Sequence, residues 1–220
     1  MPKKIVRSLE NIRYGVEIEC EYPDSKDSSK LIEKHRVIRG WEITFDGSLD
    51  NGSEYKAKKG NKLYYNEDGI DQIKEIIGLI KAHRGHIKKT CGSHVHICMS
   101  KFSNQEIVNI IKAFIKKQDY IYHKFEVLKC RQKDHARKIP KDVLKLLTAE
   151  IVKKTKKNEY GDNEIHEYFG NRDYGLNMLS LARHGTLEFR IFSGSIQIRT
   201  WKKYISFAIN FCLDNCKGKQ

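Results

Sequence analysis

The sequence predicts an α+β domain: an antiparallel sheet with helices packed on one face. Three observations carry this expectation. Several short segments alternate apolar and polar side chains with the period of a half-buried strand. Longer segments between them repeat apolar residues at helical spacing. The turn signals Asp46-Gly47 and Asn51-Gly52 stand where neighbouring strands must reverse.

Residues Tyr14 to Tyr22 form the first strand, with Val16 and Ile18 alternating against Glu17 and Glu19. Asp24 to Lys30 reads as a polar loop, Val37 to Phe45 as a second strand, and Ser53 to Lys58 as its hairpin partner beyond Asn51-Gly52. Ile70, Ile73, Ile76, Ile77 and Ile80 share one helical face, with Gly85 as the stop signal. Gly92 to Met99 is a short alternating strand. Ser103 followed by Glu106 is a capping box opening a helix expected to run to about Leu128. A mainly helical stretch, about 103–157, includes a helix over Val143 to Val152, and Lys153 to Asp162 reads as a polar connection. Tyr174 to Leu181 and Gly185 to Phe192 are the last two strands. The final helix starts near Arg199, with Trp201, Tyr204, Ile205, Ala208, Ile209 and Cys212 on its apolar side.

The 220 residues can bury a real core, and no Pro/Gly/Ser-rich linker divides them, so residues 1–220 are expected to form one domain. No apolar run approaches the ~18 residues of a membrane span, and no apolar stretch follows the basic N-terminus as a signal peptide would require. The six cysteines form no C-x-x-C pair, which points to reduced thiols and a cytoplasmic location. The formal net charge of +14 favours anionic partners, nucleic acid or an acidic macromolecule among them; lysines that simply keep the surface solvated would give the same balance. Lys129 to Lys138 is the most basic segment.

Residues two apart in a strand share a face. Three strands carry polar pairs at that spacing: Glu17 and Glu19, His94 and His96, Glu188 and Arg190. The opposite face of each is apolar. Clustered carboxylates repel unless something positive lies between them, and Mg²⁺ or Mn²⁺ with oxygen ligands, completed by a histidine, supplies that charge. Glu54 is a fourth carboxylate, and Lys56 shares its face. Taken singly, each pair has a plain alternative, such as a solvated strand face or a cross-strand ion pair; the expectation rests on their occurring together.

Five segments, in order, resemble the amidoligases, relatives of glutamine synthetase and glutamate–cysteine ligase. They are Gly15-Val16-Glu17-Ile18-Glu19; Asp46-Gly47-Ser48-Leu49 followed by Glu54; Cys91-Gly92-Ser93-His94-Val95-His96; Arg172-Asp173-Tyr174-Gly175-Leu176-Asn177; and Thr186-Leu187-Glu188-Phe189-Arg190-Ile191-Phe192. The resemblance implies a curved antiparallel sheet of the glutamine synthetase catalytic-domain type. It also implies a reaction, in which ATP activates a carboxylate as an acyl phosphate that an amine converts to an amide. It implies roles too: Glu17, Glu19, Glu54, His94 and Glu188 as ligands of Mg²⁺ or Mn²⁺, His96 and Arg190 on phosphate oxygens, and Arg172 on the migrating phosphoryl group or the substrate carboxylate. Glu54, Arg172 and Arg190 are thereby the expected catalytic residues. Many relatives continue the Glu54 strand with Ser-Pro where this chain has Tyr55-Lys56, so Lys56 is an expected contact for phosphate or an acidic substrate. The expected substrates are a carboxylate and an amine, peptide or anionic macromolecule included. The alternative from the charge and the His94/His96 pair is a metal-dependent nucleic-acid enzyme. No Gly-x-x-x-x-Gly-Lys loop is present, which excludes a P-loop site.

Overall fold

The structure is a computed structural model that describes residues 7–23, 38, 40–58, 61–157 and 172–218. Seven strands form one sheet: β1 (Arg13–Glu21), β2 (Trp41–Asp46), β3 (Gly52–Ala57), β4 (Leu63–Tyr64), β5 (Gly92–Cys98), β6 (Leu176–Asn177) and β7 (Thr186–Ser193). Their order is β2-β3-β1-β5-β7-β6, with β4 also paired to β1; every pairing is antiparallel and the sheet is not closed.

The apolar face is covered by three long helices, α1 (Glu67–Ala82), α2 (Asn104–Lys124) and α7 (Ile198–Asn215). Each buries the stripe its spacing foretold: Ile73, Ile76 and Ile80 from α1, Ile107, Ile110, Ile111 and Phe114 from α2, and Trp201, Ile205, Ala208 and Ile209 from α7. The β7 apolar face meets α2 and α7 through aromatic rings. Phe189 packs edge-on to Phe114 and Phe211, and Phe192 stacks on Tyr204 at 4.3 Å. Four short helices remain: α3 (Lys129–Asp134), α4 (Val143–Leu146), α5 (Ala149–Lys156) and α6 (Ser180–His184).

Helix α2 opens on the expected capping box, in which the Ser103 side chain accepts from the Glu106 amide and Glu106 accepts from the Ser103 amide. It ends at Lys124, short of Leu128, because Glu126 takes a left-handed conformation (φ 47°) that no helix continues through. The stop of α1 falls earlier than Gly85 for the same reason, with Arg84 at φ 59°. The helix expected over Val143 to Val152 is two, separated where Thr148 caps α5 by accepting from the Ile151 amide. Lys153 to Lys156 belongs to α5, and the rest of the Lys153–Asp162 stretch lies largely outside the described residues, as do the Asp24–Lys30 loop and Val37. The second strand begins at Trp41.

The largest departure is at Tyr174–Leu181. Only Leu176 and Asn177 are strand; Asn177 Oδ1 accepts from the Leu179 amide and turns the chain into α6. Gly185, left-handed at φ 67°, then ends α6 and releases the chain into β7. All six cysteines are free. No helix among the described residues is long and apolar enough to cross a membrane.

Candidate functional site

The face of the sheet turned away from α1, α2 and α7 gathers the polar pairs. Register sets who meets whom. Glu17 lies opposite His94 on one side and Lys56 on the other, Glu19 opposite Glu54, and His96 opposite Glu188. Directly opposite residues in an antiparallel pair share a face, so four strands contribute to one surface, and β2 adds Thr44 and Asp46 at its margin. The short helices α3 and α6 and residues 172–173 stand around it, leaving a cleft of about 450 Å³ whose lining includes Glu17, Glu19, Glu54, Lys56, His94, His96, Arg172, Glu188 and Arg190. The structure thus brings together every residue that the sequence placed in the site.

A bulge shapes the centre. Between the pairs Ser93↔Phe192 and Val95↔Phe189, β7 carries two residues, Arg190 and Ile191, across from the single residue His94. Alternation breaks there, so Ile191 and Phe192 are both buried while Arg190 folds back, its Nη1 donating to Glu188 Oε1 (2.7 Å) and its Nε to the His135 carbonyl (3.3 Å). Asn177 Nδ2 donates to the other oxygen of Glu188 (2.7 Å). Glu188, 4% exposed, is therefore held at both oxygens.

The imidazoles sit among the carboxylates. His94 Nδ1 is 2.9 Å from Glu17 and 3.5 Å from Glu188, and its Nε2 is 3.3 Å from Glu19; His96 Nε2 is 3.2 Å from Glu17. Both Nε2 atoms are buried and in no hydrogen bond of proper geometry. Gly92 makes the crowding possible. Its amide donates to Glu19, and a Cβ there would fall 2.8 Å from His94 Nε2.

The charges respond to one another. Burial opposes ionisation of Glu17, yet its close contacts with the His94 and His96 imidazoles hold its carboxyl well below the usual range. Burial, then the charge of Glu17, pushes Glu54 up to about 9, against the pull of the Lys56 ammonium paired with it. Burial also opposes protonation of His96, but the Glu188 charge raises it overall; Glu188 itself is lowered, with His96 and Arg190 outweighing burial.

Two sets of donor atoms lie within 4.8 Å of one another: Glu17, Glu54 and His94, and Glu17, His96 and Glu188. They share Glu17, mix carboxylate oxygens with imidazole nitrogens, and include the orphaned Nε2 environment, so the donor chemistry fits divalent cations of the Mg²⁺ or Mn²⁺ kind. Glu19, whose oxygens meet the Gly92 amide and His94, is in neither set, and His96 is in the second.

The cleft is also lined by residues outside the quoted motifs, among them Asp134 at the end of α3 and His135 after it, and Arg183 and His184 at the end of α6. The first two fall in the basic segment Lys129 to Lys138, which the motifs do not reach. The second pair lies directly before Gly185-Thr186, where the motif begins.

The basic segment is not all surface. Arg131 is 1% exposed; its Nη1 donates to the Thr90 carbonyl (2.8 Å) and its Nη2 to the Arg190 carbonyl (3.1 Å). The reason is tertiary: α3 folds under the start of β5, and a carbonyl of the turn before β5 and one of β7 need donors there. Arg131→Met keeps much of the bulk and removes both donors. It is expected to cost roughly 3 kcal/mol, a fall in Tm of roughly 6–12 °C for a chain of this size. A thermal melt within 2 °C of wild type would show that the guanidinium is not holding the strand ends.

Fold and site together define a class, an open antiparallel sheet whose polar face bears a carboxylate–imidazole–guanidinium centre beneath a cleft. The chain belongs to the amidoligase family: residues 7–212 match the family described as "Putative amidoligase enzyme". No curated protein and no solved structure matches it.

Proposed function

We propose that this amidoligase is an ATP- and divalent-metal-dependent carboxylate–amine ligase working through an acyl phosphate. One observation carries the reading. The two donor sets meet at Glu17, and the Arg190 guanidinium lies against Glu188 at their edge. Paired cations flanked by an arginine suit a triphosphate, whose transfer is catalysed by positioning and by neutralising oxygen charge.

In this reading Glu17, Glu54, His94, His96 and Glu188 hold the ions, and Glu19 fixes His94 and the Gly92 turn. The ions would neutralise phosphate oxygens and orient the γ-phosphoryl group. Arg190, Arg172 and Lys56 face the anions; Arg190 suits a bidentate grip on phosphate. A substrate carboxylate oxygen attacks the γ-phosphorus and ADP leaves. The amine nitrogen then attacks the acyl carbon, inorganic phosphate departs, and the nitrogen loses a proton to complete the amide. The sheet is of the glutamine synthetase catalytic-domain type in this reading, and the free thiols suit a cytoplasmic location. The nucleic-acid alternative loses support from the basic segment, since Arg131 is buried in the fold.

The test is ADP release from MgATP or MnATP, alone and with pooled carboxylates and amines. Turnover that needs both pools is the expected result. Failure to bind ATP with either metal would overturn the reading and direct attention to nucleic-acid cleavage.

A further inference from the structure

The cleft has two ends, and the ligase reading gives a role to Arg190, Arg172 and Lys56 but none to Arg183, which also lines it. At the end where β5 begins, the Arg190 side chain reaches the His135 carbonyl and its amide donates to the Gly175 carbonyl, three residues beyond Arg172. This end holds the guanidinium groups assigned above to phosphate. At the other end, where β5 finishes and β7 starts, His96 Nδ1 rests 3.1 Å from Thr186 Oγ1 and 3.3 Å from Ser180 Oγ. Helix α6 begins at Ser180, and its last turn sets Arg183 and His184 into the cleft lining. The His184 ring stands edge-on to His96 at 6.1 Å.

Arg183 is exposed, and among the described residues no carboxylate pairs with it. Its position is not loose. Gly185, left-handed, ends α6 and ties it to β7, and the Ser180 and Thr186 hydroxyls bond each other at 2.7 Å across that junction. A guanidinium with no carboxylate partner among the described residues, held on a short element at the far end from Arg190, offers an anion site separate from the one assigned to the triphosphate. An amine substrate would be repelled there.

We infer that Arg183, with His184 beside it, binds a second anionic group of the carboxylate substrate. The substrate class is then an acid carrying a further carboxylate, which Arg183 grips while the carboxylate to be activated lies at the cluster. This inference rests on the ligase reading.

The test uses hydroxylamine as the amine, so that an acyl phosphate is trapped as a hydroxamate. Linear dicarboxylates from succinate to pimelate are compared with monocarboxylates of equal chain length, under MgATP or MnATP. At least one dicarboxylate is expected to react with a KM well below that of its monocarboxylate partner. Arg183→Ala should raise that KM roughly 10- to 100-fold, the loss of a charge-assisted contact, with Arg183→Lys recovering part of it and the KM for ATP unmoved. Thermal melts check that both variants fold. Equal KM values for the two acid classes, or an Arg183→Ala effect that falls on ATP instead, would overturn the inference and leave the ligase reading standing. ATP that fails to bind would remove the ligase reading itself.

Discussion

Glu188→Gln and His94→Ala are each expected to abolish metal-dependent ATP turnover, by about a thousandfold or more, in a protein that still folds. Glu188 is bonded by Asn177 on one oxygen and Arg190 on the other, and lies 3.5 Å from His94. Glutamine keeps the shape but removes the charge that pairs with Arg190. In the proposed reading Glu188 also helps hold the phosphate-binding cations, so its neutralisation would strip out much of the electrostatic stabilisation on which phosphoryl transfer depends. His94→Ala removes the single group that touches Glu17, Glu19 and Glu188 together. Circular dichroism and a melt would establish folding, and ADP release the activity. Turnover within a few-fold of wild type in both variants would sink the assignment of the centre.

Metal affinity should climb steeply with pH, and Glu54→Gln should flatten the climb. With its carboxyl pushed up to about 9, Glu54 holds a proton in the native, metal-free protein at neutral pH, while in the unfolded chain it has already lost it at ordinary carboxylate pH. Between those two values the folded state binds the extra proton, so the contribution of Glu54 to stability is lost as pH rises through this window and levels off above about 9. The slope from one such group is up to about 1.4 kcal/mol per pH unit. In the proposed reading, where Glu54 is a ligand, a cation must displace the same proton. Below pH 9, therefore, the affinity for Mn²⁺ should rise about tenfold per pH unit from Glu54 alone, with one proton released. Calorimetry with MnCl₂ at pH 6.5, 7.5 and 8.5, in buffers of different ionisation enthalpy, measures both. Glu54→Gln has no proton to lose: it should bind the cation more weakly at pH 8.5 yet melt higher than wild type without metal. An affinity independent of pH in the wild type would mean that Glu54 is not a ligand or is already ionised.

Much of the site could be read before the fold was known, because strand periodicity is local. Glu17 and Glu19, His94 and His96, and Glu188 and Arg190 face one way because residues two apart must, and the apolar residues between them report which face is buried. The three long helices were legible for a similar reason. Their apolar stripes are wide and regular, and Ser103 with Glu106 announces a start that needs no tertiary context. Local pattern failed where a single side chain or backbone turn overruled it. Asn177 bonds the Leu179 amide and converts an expected strand into a turn and helix, while Arg84 and Glu126 adopt left-handed geometry that residue type does not advertise.

What the sequence by itself determined is the membership of the polar face, the identity of the family and the helices that cover the other side; each depends on spacing along the chain. Only the tertiary structure decided how those residues meet. Register set Glu17 between His94 and Lys56, the β7 bulge turned Arg190 onto Glu188, and the absence of a Cβ at Gly92 let Glu19 and His94 close together. Burial of Arg131 and the arrival of Arg183 and His184 at the cleft belong to the same class. The reason is physical: the pairing of distant strands, and the desolvation that shifts Glu54, are properties of segments brought together, and no segment carries them alone.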